Sequence, residues 1–280
     1  MLAPALFVVI VILGVPVAYL ISFSFLPPAN EPTQAGVLTF ANYQRLLTDP
    51  FYRGVLAKTL RISVLSTAIA TVIGYCLAHF LWRAHKRWRG VLTILVLCPL
   101  LVSIVVNSYG WMVLLGANGV INQALLGLGL IGKPLKLIHT DGAIIVGLVH
   151  IAIPFMVLSI LAALERIDKE LPEAAATLGA NSFRVLWHVS LPLALPGVAA
   201  GTLIVFCLCM SAYVTPAVLG GSGPNFVTTL IYNQIVTLMD WRFGATLAAL
   251  LLTVSLFVVL LYVSFMSWLG ASSGERRGPA

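Results

Sequence analysis

Charged residues are scarce in this sequence. Lys and Arg number 16 and Asp and Glu number 9, so 9% of the 280 residues are charged while 60% are hydrophobic. A soluble domain carries about a quarter charged residues, so a water-soluble fold is excluded. Charge-free windows occupy residues 1–30, 62–82, 90–132, 142–164, 185–239 and 243–274. A helix of about 20 apolar residues crosses a bilayer and bonds all of its own backbone, so the sequence predicts an all-α integral membrane protein.

Turn signals divide these windows into six predicted transmembrane helices within a single transmembrane domain over residues 1–280. The prolines at 27 and 28 end the first helix, and glycine-rich turns lie at 116–119 and 220–225. The predicted spans are about 4–26, 62–82, 91–115, 142–164, 193–219 and 244–268. Between them we expect one or two interfacial helices within 29–61, a short outer helix at about 120–130, and a short helix within 226–242.

The excess of basic residues predicts the orientation of the chain. Four of the seven residues from 83 to 89 are Lys or Arg, in a short loop between two spans. Such loops stay in the cytoplasm, which places residues 165–192 and both termini there too, including the basic tail 270–280. Arg166, Lys169 and Arg184 fit that side. We therefore attribute the net charge of +7 to the orientation of the chain in the membrane. The expected partner is a lipid bilayer and not a nucleic acid.

Sequence patterns of catalysis are missing. The four cysteines lack zinc-site spacing, the five histidines form no HExxH pair, and no serine lies in a GxSxG elbow. Residues 127–133 follow the spacing of a phosphate-binding loop, but Pro134 stands where Ser or Thr would hold Mg²⁺, and no strand precedes them. We expect no catalytic residue, no metal and no cofactor in this chain. The predicted spans also lack charges near their centres, which argues against a proton relay.

The longest polar stretch of the second half is ERIDKELPEAAATLGANSFRVLWHVSLP, residues 165–192, here called the elbow. Pro172 suits a first helical turn, and the alanines at 174–176 favour a helix. Gly179 can take the left-handed conformation that ends a helix, and Asn181 or Ser182 can cap the next one. The pattern predicts two short helices with a break, and Pro192 opens the next apolar run.

The elbow resembles the signature of ABC importer membrane subunits, which reads EAA, three residues, G, nine residues, I, one residue, LP. The matching positions here are Glu173-Ala174-Ala175, Gly179, Val189 in place of Ile, and Leu191-Pro192. The resemblance implies a type I permease with a cytoplasmic coupling helix that docks on a separate ATPase. Glu173 would pair with a basic residue of that ATPase, Ala174 and Ala175 would permit close docking, and Gly179 would hold the turn.

The same resemblance implies the rest of the assembly. A dimer of ABC ATPase subunits would bind the ATP and Mg²⁺, and a second homologous permease would complete the pathway. A periplasmic binding protein would deliver the substrate at the bacterial inner membrane. Alternatives of other classes are an ATP-independent channel or facilitator and a structural membrane partner with no pathway.

Three shorter segments are similar to permeases of the spermidine/putrescine type. They are LTFANY at 38–43, SAYVTPAVLGG at 211–221 and DWRFGA at 240–245. This resemblance implies polyamine import. Because relatives with other solutes share parts of these segments, an iron complex or an amino-acid or opine-like compound stays open as the substrate.

Candidates for the substrate pathway are the polar and aromatic residues of the third and fifth spans. Tyr and Trp can hold an ammonium group through cation–π contact worth about 0.5–2 kcal/mol, which suits transient binding. For Trp111 a place in an interfacial aromatic belt is an equal alternative. The candidates are Asn107, Ser108, Tyr109, Trp111, Ser211, Tyr213 and Thr215.

Overall fold

A computed structural model describes residues 3–28, 38–168, 170–221, 223 and 225–274. Those residues form helices joined by turns, with no β-strand among them. The helices are α1 Ala3–Ser24, α2 Ala41–Thr48, α3 Pro50–Arg83, α4 Lys86–Leu101, α5 Ile104–Leu115, α6 Val120–Gly127, α7 Asp141–Leu164, α8 Glu170–Thr177, α9 Ser182–Val185, α10 Leu191–Ser211, α11 Val214–Leu219, α12 Val227–Tyr232 and α13 Trp241–Gly274.

The predicted all-α membrane fold is confirmed. Five stretches of the described chain are long and apolar enough to cross a membrane: Pro50–Arg83, Ile104–Gly127, Asp141–Leu164, Phe183–Ser211 and Trp241–Met266. The first helix, α1, has 22 residues, and its stretch Ile10–Ser24 forms a shorter apolar helix. A sixth span at 4–26 therefore stays a prediction.

Several hydroxyl side chains within the apolar helices bond to their own backbone. Thr59, Thr67 and Thr71 of α3 donate to the carbonyl oxygens four residues earlier, at 2.9, 2.7 and 2.8 Å. Ser159 of α7 and Thr202 of α10 do the same at 2.9 and 2.8 Å. Since lipid offers no hydrogen-bond partner, these bonds let the helices carry polar residues without unpaired hydroxyls at those positions.

The chain divides into two compact units. The first comprises Met1–Leu60 and Ser222–Leu260. Its helix ends are joined by side-chain bonds to carbonyl oxygens: Asn42 donates to Leu26 at 2.9 Å and Arg242 to Pro27 at 2.9 Å. Its core consists of Leu46, Tyr52, Val55, Val227, Leu230, Phe243 and Leu247.

The second unit comprises Arg61–Gly221 and Leu261–Ala280, and α7 lies at its centre. Glycines bring the neighbouring helices close to α7. A Cβ on Gly74 of α3 would lie 2.5 Å from Met156 Cγ, and one on Gly201 of α10 would lie 2.8 Å from Met156 Sδ. Small residues permit such close packing between helices in membranes, so α3, α7 and α10 form the tightly packed part of this unit.

The third predicted span, 91–115, is broken in the structure. Helix α4 ends at Leu101, and Val102 and Ser103 take extended backbone with ψ of 137° and 135° before α5 begins. Pro99, near the end of α4, has no N–H to donate, which weakens the last turn. The prediction of one continuous helix is therefore wrong.

The fifth predicted span, 193–219, is likewise divided. Helix α10 ends at Ser211, Ala212 is extended with ψ of 128°, and α11 follows. Pro216 lies in the first turn of α11, where a helix needs no N–H from it. Because of this break, the side chains of residues 212–215 point in different directions from those they would have in one continuous helix.

In residues 38–61, the described part of the expected interfacial segment, the structure has one short helix, α2, followed by the start of α3. Pro50 begins α3, which continues unbroken to Arg83, so Phe51, Val55 and Leu56 belong to a long apolar helix. Proline suits the first position of a helix, which is why it separates α2 from α3 without interrupting α3. Helix α6 lies within the expected 120–130, and α12 within the expected 226–242.

Some predicted features lie outside the described residues. They are Lys169, residues 29–37 of the polar connection, residues 222 and 224 of the second turn, and the end of the tail at 275–280.

Candidate functional site

The first helix of the elbow is α8. The Asp168 carboxylate accepts the Glu170 N–H at 3.1 Å, just before the helix begins. Glu170 and Glu173 occupy its first turn, where negative charge is favourable beside the unpaired N–H groups. The EAA triplet thus lies in a short helix whose start is stabilised electrostatically.

The turn that follows α8 depends on Gly179. Its φ is +88°, as the sequence predicts for the residue after a helix. The Ala180 N–H donates to the Ala175 carbonyl at 3.1 Å, which closes the end of α8. Asn181 then caps α9, since its side-chain oxygen accepts the Arg184 N–H at 2.8 Å.

The second helix of the elbow continues into the membrane, contrary to the expected separate apolar run. Helix α9 passes through a π-helical turn, Leu186–Ser190, directly into α10. Val189 lies within this turn, and Leu191 and Pro192 begin α10. Pro192 does not interrupt the helix, because it lies in the first turn of α10. There the preceding π turn has shifted the pattern of backbone hydrogen bonds.

The elbow exposes several large apolar side chains. Leu178 is 89% exposed and Phe183 68% exposed, with Trp187 and Leu171 also exposed. The rings of Phe183 and Trp187 lie 6.0 Å apart. Glu173 and Ala174 are exposed and Ala175 is half-buried. A cluster of exposed large side chains beside polar residues is typical of a protein–protein contact.

Side-chain bonds from α3 and α4 join the elbow to the rest of the second unit, and a cleft lies beside it. Arg89, at the start of α4, forms an ion pair with Glu165 at the end of α7. The Tyr75 hydroxyl of α3 donates to the Leu186 carbonyl at 3.0 Å. A cleft of about 300 Å³ is lined by Trp82, Arg83, Pro172 and Glu173. The sequence analysis did not predict these contacts, because the bonded residues are separated by 76 positions in one pair and by 111 in the other.

The predicted pathway residues fall into two groups. Ser211, Tyr213 and Thr215 line one cavity of about 220 Å³. Thr215 is buried, and its hydroxyl lies 3.3 Å from that of Ser108. The other lining residues are Ile104, Leu148, Ile151, Ala152, Leu208, Cys209, Ala212 and Val214. The break after Ser211 creates this cavity by separating α10 from α11.

Asn107, Tyr109 and Trp111 do not line that cavity. Tyr109 is 51% exposed, Asn107 is half-buried, and the Trp111 ring meets the His150 ring edge-on at 5.6 Å. The structure therefore brings four of the seven candidates together, since Ser108 lies beside Thr215, and leaves the other three elsewhere on α5.

A larger cavity, of about 510 Å³, lies between α7, α10 and the start of the elbow. Small residues form its wall, and Arg166 and Asp168 line it together with apolar neighbours. The sequence signal that could have found it is the recurrence of small residues on facing helices: Ala162 and Ala163 on α7, and Gly197 and Ala200 on α10. Within the described residues, no group of three His, Cys, Asp or Glu could hold a metal ion.

Comparisons with known proteins point to one group, the membrane components of transport systems. The family described as "binding-protein-dependent transport system inner membrane component" matches residues 70–271. The spermidine/putrescine transport system permease protein PotB of Haemophilus influenzae is 32% identical over 89% of this chain and 86% of its own length. PotB of Escherichia coli is 34% identical over 87% of this chain and 88% of its own length. The molybdenum transport system permease protein ModB of Escherichia coli is 30% identical over 83% of this chain and 99% of its own length.

Solved structures share the fold. A crystal structure of a bacterial ABC transporter involved in the import of the acidic polysaccharide alginate has a chain that matches with a TM-score of 0.75 at 19% identity. The match covers 95% of this chain and 93% of that one. The MetNI methionine ABC transporter, in an inward-facing form, matches with a TM-score of 0.57 at 22% identity over 79% of this chain and 94% of its own.

Proposed function

The chain belongs to the family of binding-protein-dependent transport system inner membrane components, and we propose that its elbow couples it to a separate ATPase that drives polyamine import. It has the type I permease fold of ABC importers and serves as a permease subunit. The whole chain acts as one permease domain, half of a pathway across the inner membrane, with both termini in the cytoplasm.

The observation that carries the coupling role is the exposed surface of the elbow. Leu178, Phe183 and Trp187 are exposed apolar side chains of the elbow, which also carries the exposed Glu173. Apolar and aromatic anchors beside a charge are what a protein partner requires at an interface. In this proposal Glu173 pairs with a basic residue of the ATPase, while Ala174 and Ala175 allow its surface to approach α8 closely.

The mechanism is alternating access driven from outside the chain. ATP and Mg²⁺ bind to the two ATPase subunits, and their closure moves the elbow. Because the π turn joins α9 directly to α10, a movement of the elbow passes into a membrane helix. The rocking of α10 against a second, homologous permease opens the pathway to one side and then to the other.

The cavity at the break between α10 and α11 is the proposed contact with the passing solute. Ser211, Tyr213 and Thr215 offer hydroxyl groups, and Tyr213 offers a ring face for an ammonium group. These contacts are weak, which suits a conduit. A periplasmic binding protein recognises the solute first. Asn107, Tyr109 and Trp111 are proposed to contact the solute elsewhere along α5.

The test of this function is uptake by the reconstituted complex. The chain is purified with its ATPase, second permease and binding protein, and placed in proteoliposomes with ATP inside. Labelled spermidine and putrescine should accumulate only when ATP, Mg²⁺ and the binding protein are all present. Uptake without ATP would support a channel or facilitator instead, and absence of any copurified ATPase would refute the coupling role.

A second candidate is the same machinery with another solute. The observation that favours it is the similarity to ModB, a molybdenum transport permease, along nearly the whole of that protein. Iron complexes and amino-acid or opine-like compounds belong to the same alternative. Calorimetric titration of the purified binding protein with spermidine, molybdate, ferric citrate and octopine separates these solutes, because one of them should bind far more tightly than the rest.

Replacing Gly179 by valine should impair the docking of the ATPase. The φ of +88° is strained for any side chain, by about 1–2 kcal/mol, although nothing lies within 4 Å of the added Cβ. The turn would relax and misdirect α9. We expect less ATPase to copurify with Gly179→Val, measured as the ratio of the two proteins on a stained gel.

Gly129→Val is the matched control for that change. Gly129 also has a positive φ, of +68°, with nothing within 4 Å of a Cβ, and it lies after α6, away from the elbow. Its replacement introduces similar strain, and the ATPase ratio should stay at the value of the unaltered protein. An equal loss in both variants would show general destabilisation and contradict a specific role for the Gly179 turn.

A further inference from the structure

The π-helical turn between the elbow and α10 has one unusual acceptor. The Leu186 carbonyl accepts the Leu191 N–H, five residues later, where an α-helix would present the N–H of residue 190. The same oxygen also accepts the Tyr75 hydroxyl of α3 at 3.0 Å. A π turn within an α-helix is uncommon and is often found at functional sites. The Tyr75 hydroxyl is a second donor to the oxygen that closes this one.

The Ser190 hydroxyl is a further candidate donor to the Leu186 oxygen. A serine within a membrane helix commonly donates to the carbonyl four residues earlier, which here is Leu186. The Ser190 hydroxyl is fully buried and has no hydrogen-bond partner among the described residues. The Leu186 oxygen thus accepts from Leu191 and Tyr75 and not from Ser190.

Tyr75 also belongs to a line of rings that leads back to the elbow. Its side chain is only 6% exposed, its ring lies 6.2 Å from His79, and His79 lies 5.7 Å from Trp82. Trp82 lines the cleft that Pro172 and Glu173 of α8 also line. Helix α3 therefore bonds to the elbow at the π turn through Tyr75, and its Trp82 faces the same cleft as α8.

We propose that Tyr75 is the positioning residue that transmits the movement of the elbow to α3. The proposal rests on the proposed function. Its hydroxyl holds the π turn in register, so that α3 follows when the ATPase moves the elbow. Without this bond the Leu186 oxygen becomes available to Ser190, the turn relaxes towards an α-helix, and the elbow moves without α3.

The direct test is Tyr75→Phe, which removes one oxygen and keeps the ring. In proteoliposomes containing the whole complex, the ATPase content and the rate of ATP hydrolysis should stay near those of the unaltered complex. Spermidine taken up per ATP hydrolysed should fall about fivefold to tenfold, the factor that the loss of one ordinary hydrogen bond gives in an equilibrium. An unchanged ratio would overturn the proposal, as would a parallel fall in ATPase content and uptake.

Two controls separate the hydroxyl from general effects. Tyr19→Phe makes the same chemical change on an exposed tyrosine of α1 and should leave the ratio unchanged. Ser190→Ala removes a hydroxyl that makes no bond within the described chain and should also leave it unchanged. A Ser190→Ala protein as poorly coupled as Tyr75→Phe would contradict the competition for the Leu186 oxygen.

A second readout is independent of the solute. Hydrogen–deuterium exchange of the complex is compared with and without ATP and vanadate. In the unaltered complex, nucleotide should change exchange both in the elbow and in the C-terminal half of α3. In Tyr75→Phe only the elbow should respond. A response of α3 in both would refute the role of Tyr75, whereas no response of the unaltered complex, or no bound ATPase, would refute the proposed function itself.

Discussion

A Glu173→Lys protein should reach the membrane and purify without its ATPase. Glu173 is exposed in the first turn of α8. In the proposed interface it faces a basic residue, and a lysine there would place two positive charges together. Like charges in contact at an interface cost several kcal/mol, about a hundredfold or more in affinity. The measurement is the amount of ATPase that copurifies, with uptake as a second readout.

Glu170→Lys is the matched control for this charge reversal. Glu170 lies in the same turn of the same helix and is also exposed, so both changes weaken the favourable charge at the start of α8 by a similar amount. Only Glu173 belongs to the EAA signature. We expect Glu170→Lys to retain most of its ATPase. Full copurification and normal transport by Glu173→Lys would count against the assignment of the elbow as the coupling helix.

Gly197→Leu should prevent stable folding of the second unit. A Cβ at this position would lie 2.5 Å from Ala163 Cβ and 2.7 Å from the Ser159 carbonyl oxygen. These atoms belong to the backbone of α7 or are attached directly to it, so they cannot rotate aside. The helices α7 and α10 would have to separate, at a cost of about 3 kcal/mol or more for a whole leucine side chain. Accumulation in the membrane and the melting temperature in detergent should both drop sharply.

Gly90→Leu provides the comparison for that substitution. Gly90 lies in α4 with nothing within 4 Å of an added Cβ. Leucine is a better helix former than glycine by nearly 1 kcal/mol, so this variant should melt at or slightly above the temperature of the unaltered protein. A Gly197→Leu protein with an unchanged melting temperature would show that α7 and α10 do not approach each other as closely as described.

The sequence by itself determined the class of fold and the location of the elbow. Its charge-free windows predict membrane helices because lipid tolerates few charges and requires internally bonded backbone. The left-handed Gly179 and the cap at Asn181 also follow from local chemistry, since each depends only on residues within a few positions. The EAA signature is local in the same sense, which is why it could be identified without coordinates.

Only the tertiary structure decided where helices break and which distant residues meet. Windows without charge cannot reveal the breaks after Leu101 and Ser211, because apolar composition is the same on either side of an extended residue. The pairing of Arg89 with Glu165, and of Tyr75 with the Leu186 carbonyl, depends on how α3, α4 and α7 pack. That packing is set by close approach at glycines such as Gly74 and Gly197, where the shapes of two helices must fit and neither helix alone specifies the partner.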